Sequence, residues 1–343
     1  MKSNDVRMVG ICGIGGIGKT TIAGYIYNQI SWGFECSSFL ENVKEVYKNK
    51  GLLGLQNQLL NEILEEGNQK ISNIYRGAQV IKNSLYFRKA LIIFDDVDVD
   101  VDNKDQLEFL VGNHTWYGKG SRIIITTRDK RCLTMLNVDY IYEVEGLNSN
   151  EALELFSRYA FQSNLPEEDF ENLLHKVLHY CEGLPLALKV LGSFLYDKTI
   201  GQWESELHKL KNEPQAKIQN MLKISFDGLD LTQKTVLLDI ACFFQGEDSD
   251  FASKIWEGSK LYGETNIRVL LDKCLITIIA HNRIYMHGLI KKMCRNIVRE
   301  QHPKDHSKWS RLGNPNDIYC AFISEEVRIN YLNSIAYLSS FGR

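Results

Sequence analysis

Residues 13–21 read G-I-G-G-I-G-K-T-T and follow a short apolar run, residues 6–12, that predicts a buried strand. The spacing G-x-x-x-x-G-K-[ST] after a strand is typical of a phosphate-binding loop, in which backbone N–H groups of a glycine-rich turn surround phosphate oxygens. The lysine of such a loop reaches the outer phosphates, and the hydroxyl after it holds Mg²⁺. The predicted binding residues of this stretch are Gly13, Gly15, Gly16, Gly18, Lys19, Thr20 and Thr21, with Thr20 also a predicted metal ligand.

The same glycines also satisfy a second pattern. Gly13, Gly15 and Gly18 fit the G-x-G-x-x-G fingerprint of a dinucleotide-binding fold, which needs an acidic residue about 20 positions further on to hold a ribose. Glu41, directly after a strand-like segment at 37–40, is a candidate for that role. A dinucleotide site has no use for the final K-T-T, so the phosphate-binding loop is the favoured interpretation.

The length and composition are those of a globular protein with more than one domain. A chain of 343 residues exceeds the usual size of one hydrophobic core, and its 44% hydrophobic and 24% charged residues are ordinary values. The net charge of −3 argues against a surface dedicated to the nucleic-acid backbone, so nucleic acid is not an expected partner.

Eight cysteines are scattered without a C-x-x-C pair, which predicts buried free thiols in a reducing compartment rather than disulfides or a zinc site. His175 and His179 lack the glutamate of an H-E-x-x-H zinc motif. The chain shows neither the apolar segment of a secretory signal nor a run of about 18 apolar residues. We therefore expect a cytoplasmic or nucleo-cytoplasmic protein that does not bind membranes.

Strand-like and helix-like segments alternate through residues 1–147. Strands are predicted at 6–12, 37–40, 90–94, 122–126 and 140–144, and helices at 19–30, 52–64 and 77–86. Strands separated by helices imply a parallel sheet that is covered on both faces. The expected fold class of this part is an α/β P-loop NTPase domain with a parallel five-stranded sheet.

The rest of the chain is predicted to be mainly helical. Residues 148–214 begin with an N-x-x-E helix cap at Asn148, and further helices are expected at 170–181, 185–195 and 202–211. Residues 215–311 combine helices with a β-hairpin, whose strands are expected at 274–279 and 283–286. These two segments are interpreted as a helical domain, with a linker at Pro214, and a winged-helix domain. Residues 312–343 are interpreted as a C-terminal linker without recognisable leucine-rich repeats.

Two carboxylates follow the predicted strand at 90–94. A strand-end aspartate of phosphate-loop proteins orders Mg²⁺, so Asp95 is predicted for that role and Asp96 for positioning or activating an attacking water. The alternative is that D-D-V-D-V-D only begins an acidic surface loop. Arg128 follows the strand at 122–126, and because strand ends of this fold face the nucleotide crevice, it is predicted to sense the γ-phosphate. Taken alone, a surface arginine is the commoner explanation.

Eight blocks in a fixed order carry a family resemblance. They are residues 13–21, F-L-E-N-V at 39–43, 91–97, 120–128, 142–161, C-E-G-L-P-L-A at 181–187, L-D-I-A-C-F-F at 238–244 and M-H at 286–287. The sequence resembles the NB-ARC nucleotide-binding switch module of plant intracellular immune receptors, and more narrowly the receptors that carry a TIR domain in front of it. The blocks together span nearly residues 6–300.

The resemblance implies a three-part switch rather than a metabolic enzyme. In the family, ADP lies between the phosphate-loop domain, the helical domain and the winged helix and holds the module closed, whereas ATP opens it and permits self-oligomerisation. By motif position, Pro185 would contact the adenine and His287 the β-phosphate of ADP. Without the family, Pro185 is better explained as the first residue of a helix, and His287 as a buried core histidine.

The sequence departs from the family pattern beside His287. The family triplet Met-His-Asp is Met286, His287 and Gly288 here. Because the family aspartate supports the histidine, its replacement implies weaker locking by ADP, and Gly288→Asp is expected to slow ADP release. The TIR and leucine-rich-repeat domains of a full receptor, its expected partners, have no counterpart in these residues.

Three functions fit the sequence. The leading hypothesis is a defence-signalling switch that binds ADP or ATP with Mg²⁺ and is at most a slow ATPase. A catalytic ATPase would turn over at about 1–10³ s⁻¹, and a winged-helix transcription regulator of the same superfamily would bind duplex DNA in a salt-sensitive way. The choice of adenine over guanine rests mainly on the resemblance, although no Asn-Lys-x-Asp element for guanine is present.

Overall fold

The chain divides into two compact units. The computed structural model describes residues 5–64, 71–97, 104–162, 170–212, 215–303, 305–313 and 315–323. The first unit consists of Met1–Glu145 with Asp272–Cys274, and the second of Gly146–Leu271 with Leu275–Arg343. The domain boundaries at 147, 214 and 311 stay predictions. Pro214 and the tail from 324 onward lie outside the described residues.

A parallel sheet of five strands forms the centre of the first unit. Its strands are β1 (Arg7–Cys12), β2 (Cys36–Leu40), β3 (Ala90–Phe94), β4 (Arg122–Thr127) and β5 (Tyr140–Glu143). They lie in the order β2-β3-β4-β1-β5, and every neighbouring pair is parallel. The predicted strands are thus confirmed to within a residue at each end.

The strand order excludes a dinucleotide-binding fold. In that fold β1 lies beside β2, which brings the acidic residue after β2 close to the glycine loop after β1. Here β1 pairs with β4 and β5, while β2 lies at the sheet edge and pairs with β3. Glu41 is exposed after β2, and β3 and β4 separate that strand from β1. Glu41 therefore has no position from which to hold a ribose bound at the glycine loop.

Among its described residues, the first unit has the α-helices α1 (Lys19–Ile30), α2 (Val43–Ile63), α3 (Ile74–Leu85), α4 (Lys104–Val111) and α5 (Lys130–Met135). The sequence predicted α2 only from residue 52, because Gly51 interrupts the helix with φ 66° and ψ −179°. Backbone of that kind is readily adopted only by glycine. The short helices α4 and α5 were not predicted, since 8 and 6 residues give too little periodicity to detect.

Side chains of β3 alternate between two cores. Ile92 and Phe94 join a cluster with residues of α2 and α3, whereas Leu91 and Ile93 join a cluster with Ala23 of α1. All residues of β3 are fully buried. Burial on both faces explains why this strand is apolar throughout and shows no polar alternation. The same burial fixes the position of the C-terminal end of β3, which Asp95 and Asp96 follow.

The second unit is mainly helical. Following the chain from Gly146, the helices are α6 (Ser149–Ala160), α7 (Glu171–Cys181), α8 (Pro185–Leu195), α9 (Ile200–Asn212), α10 (Ala216–Asp227), α11 (Leu231–Asp239), α12 (Ser249–Gly258), α13 (Gly263–Asp272), α14 (Gly288–Glu300) and α15 (Pro315–Ile323). A hairpin of β6 (Thr277–Ile279) and β7 (Arg283–Tyr285) precedes α14 and confirms the predicted hairpin, although its first strand begins at Thr277 and not at residue 274. Helix α15 was not predicted.

Aromatic packing holds the first helices of this unit together. The indole of Trp203 is 1% exposed and packs against the rings of Phe156, Phe161 and Phe170 at centroid distances of 4.7–5.7 Å. Its Nε1–H donates to the carbonyl of Leu195 at 2.9 Å. The predicted cap at Asn148 is present as a full capping box with Glu151. A buried tryptophan with a satisfied N–H both fills space and orders the helices that surround it.

Seven of the eight cysteines are free thiols, as the sequence predicted: Cys12, Cys36, Cys132, Cys181, Cys242, Cys274 and Cys294. Their burial is only partly as predicted, since Cys36, Cys242 and Cys274 are partly exposed. Within the described ranges, no helix combines the length and apolar character that crossing a membrane requires.

Candidate phosphate-binding site

The loop between β1 and α1 has the backbone geometry that its glycines predict. Gly16 and Gly18 adopt φ values of 82° and 102°, in the left-handed region where a side chain would be strained. Gly18 is the N-cap residue of α1. The first N–H groups of a helix have no partner within the helix and carry its partial positive charge. The loop therefore presents backbone donors where a phosphate would bind.

Lys19 lies inside this loop. Its Nζ donates to the carbonyls of Gly13 and Ile14 at 2.8 and 3.0 Å, and the residue is only 7% exposed. Burial, together with the neighbouring Arg128 charge, lowers the pKa of Lys19 to about 8. A partly desolvated ammonium held at the mouth of a phosphate loop binds an anion more strongly than one in water, because less hydration is lost on contact.

Thr20 and Asp95 meet, although they lie far apart in sequence. The Thr20 hydroxyl donates to Asp95 Oδ1 at 2.8 Å, and the hydroxyl of Thr126 donates to the same oxygen at 2.7 Å. Asp95 is 1% exposed. A hydroxyl and a carboxylate are hard oxygen donors of the kind that Mg²⁺ prefers, and Mg²⁺ usually keeps several waters besides one or two such ligands. The pair predicted from the sequence therefore fits a magnesium ion.

Asp96 and Arg128 form the second pair of this site. The carboxylate of Asp96 lies 3.5 Å from the Nε of Arg128, whose side chain is 15% exposed. Asp96 has a φ of 53°, which is uncommon for an aspartate, and its N–H is held by the Thr126 hydroxyl at 2.9 Å. Backbone of this kind persists only where surrounding contacts determine it, and it is often found at functional sites.

Thr126 is a site residue that sequence reasoning missed. It binds the side chain of Asp95 and the backbone of Asp96, so it holds both carboxylates in position. Its signal in the sequence is the T-T at the end of the β4 run, which has meaning only when β4 is known to lie beside β3. The structure thus brings together the loop, both carboxylates and Arg128 within one unit. Thr21 is exposed, and its predicted role stays a prediction.

Pro185 and His287 belong to the second unit. Pro185 is the first residue of α8, as its alternative explanation requires. His287 is the N-cap of α14, where its Nδ1 accepts the Leu289 N–H at 3.2 Å. Its Nε2 lies 3.2 Å from the carbonyl oxygen of Glu182, another residue that sequence reasoning missed. The contacts of Pro185 with adenine and of His287 with a phosphate stay predictions.

Comparison with known proteins identifies two domains. Residues 1–166 match the NB-ARC domain, and residues 230–302 match the Roq1-like winged-helix domain of disease resistance proteins. The chain is 54% identical over 313 residues to Disease resistance protein RUN1 of Vitis rotundifolia, covering 91% of this chain and 23% of that protein. It is 41% identical over 340 residues to TMV resistance protein N of Nicotiana glutinosa, covering 97% and 28%. The chain spans about a quarter of the length of these relatives.

The fold resembles that of a solved structure. The Walker-type ATPase PABY2304 of Pyrococcus abyssi superposes with a TM-score of 0.58 at 14% identity, covering 84% of this chain and 91% of that one. At this identity the likeness concerns the fold alone. Together with the parallel sheet and the winged-helix match, it confirms the predicted fold class, a P-loop NTPase domain followed by a helical region and a winged helix.

Proposed function

Because this chain carries an NB-ARC domain followed by a Roq1-like winged-helix domain, and its relatives are plant disease resistance proteins, we propose that it is an ADP/ATP switch in plant defence signalling. ADP is the off state and ATP the on state. Self-oligomerisation in the on state, partnership with TIR and leucine-rich-repeat domains, and a cytoplasmic location belong to the same proposal.

The observation that carries the proposal is the convergence of Lys19, Thr20, Asp95 and Arg128. The loop N–H groups and Lys19 bind the phosphate oxygens of the nucleotide. Thr20 and Asp95 would hold Mg²⁺, which neutralises phosphate charge when bound. Arg128 contacts the γ-phosphate and so distinguishes ATP from ADP. Before the nucleotide binds, the ion pair with Asp96 orients the guanidinium of Arg128. Asp96 positions water for slow hydrolysis.

The nucleotide in the purified protein tests this function. We expect ADP, released by denaturation and identified by chromatography, at close to one molecule per chain. We also expect ATP hydrolysis far slower than the range of about 1–10³ s⁻¹ that is typical of enzymes. Turnover within that range would replace the switch with a catalytic ATPase. Salt-sensitive binding to duplex DNA would favour the transcription regulator.

Lys19 should make nucleotide affinity depend on pH. Phosphates bind the charged ammonium, and the pKa of Lys19 is lowered to about 8. We therefore expect the Kd for ADP to be nearly constant between about pH 7 and 8, where the terminal phosphate is fully ionised, and to rise by up to about tenfold per pH unit above pH 8. Isothermal titration with ADP across this range measures the effect, and a Kd that stays constant to about pH 9.5 would contradict it.

Without nucleotide, the contribution of Lys19 to the free energy of unfolding should rise with pH over the range in which the affinity for ADP falls. The ordinary pKa of the lysine is 10.5, so between about pH 8 and that value the unfolded chain holds a proton that the folded chain has lost. Stability rises with pH wherever the unfolded state binds more protons. The contribution of Lys19 to the free energy of unfolding therefore increases over this window, while the affinity for ADP declines.

A further inference from the structure

The turn after α7 directs the carboxylate of Glu182 at the start of α14. Glu182 is the C-cap of α7 and adopts the left-handed conformation, with φ 46° and ψ 42°. Its Oε2 accepts the N–H of Gly288, the first residue of α14, at 2.7 Å. The hydroxyl of Tyr285 donates to the same oxygen at 3.5 Å. A carboxylate at this position satisfies a helix N–H that has no partner within the helix, and its charge complements the helix dipole.

The backbone of the same residue holds the imidazole of His287. Nδ1 accepts a hydrogen bond from the N–H of Leu289, so Nδ1 carries no proton. In the neutral ring the proton is then on Nε2, which donates to the carbonyl of Glu182 at 3.2 Å. Burial lowers the pKa of His287; the nearby charge of Lys292 acts in the same direction, and the Glu182 carboxylate opposes both. The ring is therefore neutral, and both of its nitrogens are engaged.

The side chain of Glu182 also occupies the space beside Gly288. A Cβ at position 288 would lie 1.8 Å from Oε1, 2.6 Å from Cδ and 2.9 Å from Oε2 of Glu182, and these are its three nearest neighbours. No side chain fits there while Glu182 keeps its place. The carboxylate that the family carries at position 288 thus has a counterpart here, supplied by residue 182.

We propose that Glu182 is the positioning residue of His287. Its backbone carbonyl accepts from Nε2, and its carboxylate binds the first N–H of α14, which keeps the imidazole within reach of that carbonyl; while the carboxylate stands there, position 288 must be glycine. A phosphate that accepts from Nε2 must compete with the carbonyl of Glu182. The proposal rests on the proposed function only in naming a phosphate as that competitor. It also changes the expectation for Gly288→Asp, because the new carboxylate meets that of Glu182 and displaces it instead of restoring the family contact.

A double-mutant cycle tests the steric part of the proposal. Gly288→Ala alone should displace the flexible Glu182 carboxylate from the N–H of residue 288 and so raise the unfolding equilibrium constant roughly threefold to tenfold, as the loss of one hydrogen bond does. In the Glu182→Ala background the space is free, so adding Gly288→Ala should change that constant by no more than about twofold. Alanine at 182 carries the same left-handed backbone cost as glutamate, so the backbone does not confound the cycle. Additive effects of the two substitutions would overturn the proposal.

Imidazole ¹⁵N spectra test the positioning of His287, whose signals are identified by their loss in His287→Gln. The wild type should show the proton on Nε2, protected from exchange with water by the carbonyl of Glu182. In Glu182→Ala that proton should exchange roughly tenfold faster, because the start of α14 is no longer bound to residue 182. Glu182→Gln should keep the protection, since an amide oxygen still accepts the Gly288 N–H. It should also lower the pKa of His287 further, because the opposing negative charge is gone. If Gly288→Ala fails to fold, the spectra of Glu182→Gln still test the proposal.

The matched control is Glu151→Ala. Glu151 accepts the N–H of Asn148 at 3.0 Å in the capping box of α6 and so performs a comparable capping role away from His287. Its loss should leave the His287 signals unchanged. Equal exchange protection of the Nε2 proton in wild type and Glu182→Ala would overturn the proposal. ADP added to the wild type should weaken the Nε2–carbonyl bond; if no ADP binds at all, the proposed function fails while the exchange result still decides the role of Glu182.

Discussion

Lys19→Arg is expected to abolish the retention of nucleotide during purification. The ammonium of Lys19 lies between two loop carbonyls at 2.8 and 3.0 Å and is almost fully buried, so the loop is shaped to a compact charge. A guanidinium is larger and planar, and it cannot take this position. A hydrogen bond between charged groups contributes about 1.5–3 kcal/mol, so the Kd for ADP should rise roughly tenfold to a hundredfold or more.

Lys119→Arg is the matched control for this substitution. Lys119 is an exposed lysine of the same unit, at the turn before β4, and its replacement should leave the Kd for ADP unchanged. Isothermal titration of both variants with ADP and ATP, after removal of bound nucleotide, gives the comparison. If Lys19→Arg bound ADP as tightly as Lys119→Arg, the assignment of the loop as the nucleotide site would be wrong.

Asp95→Ala is expected to lower the free energy of unfolding by roughly 1–3 kcal/mol, since the buried hydroxyl of Thr126 loses its acceptor. The hydroxyl of Thr20 also bonds to Oδ1 of Asp95, but Thr20 is exposed, so water can replace that acceptor. The Mg²⁺ dependence of nucleotide affinity should vanish in the same variant, because a carboxylate ligand is lost. Urea denaturation and titration with ADP in the presence and absence of Mg²⁺ measure the two effects.

Two further variants separate the structural role of Asp95 from its metal role. Asp95→Asn keeps an oxygen for the two hydroxyls, so most of the stability should return while the Mg²⁺ dependence stays lost. Glu41→Ala removes an exposed carboxylate at the end of the neighbouring strand β2 and should change stability by less than about 0.5 kcal/mol. Mg²⁺-dependent binding that persists in Asp95→Asn would show that this carboxylate is not a metal ligand.

Local patterns were sufficient to predict much of the fold. Runs such as A-L-I-I-F at β3 are apolar because both faces of the strand are buried, and the glycine loop has a spacing that few other structures need. The start of α2 was missed because Gly51 hides the continuity of the helix, and α15 because its short segment lacks clear periodicity. Both failures are local, since a glycine interrupts the pattern of α2 and α15 has too few residues for a distinct pattern.

By itself, the sequence determined the identity of the phosphate loop, the strand that ends at Asp95 and the residues that follow it. Only the tertiary structure decided the order of the strands, which lays β4 beside β3 and gives Asp95 the hydroxyl of Thr126. Only the tertiary structure showed that Glu182 takes the space beside Gly288. The physical reason is that hydrophobic periodicity and glycine conformation act over a few neighbouring residues, whereas strand pairing and the packing of one turn against another join residues that the chain keeps far apart.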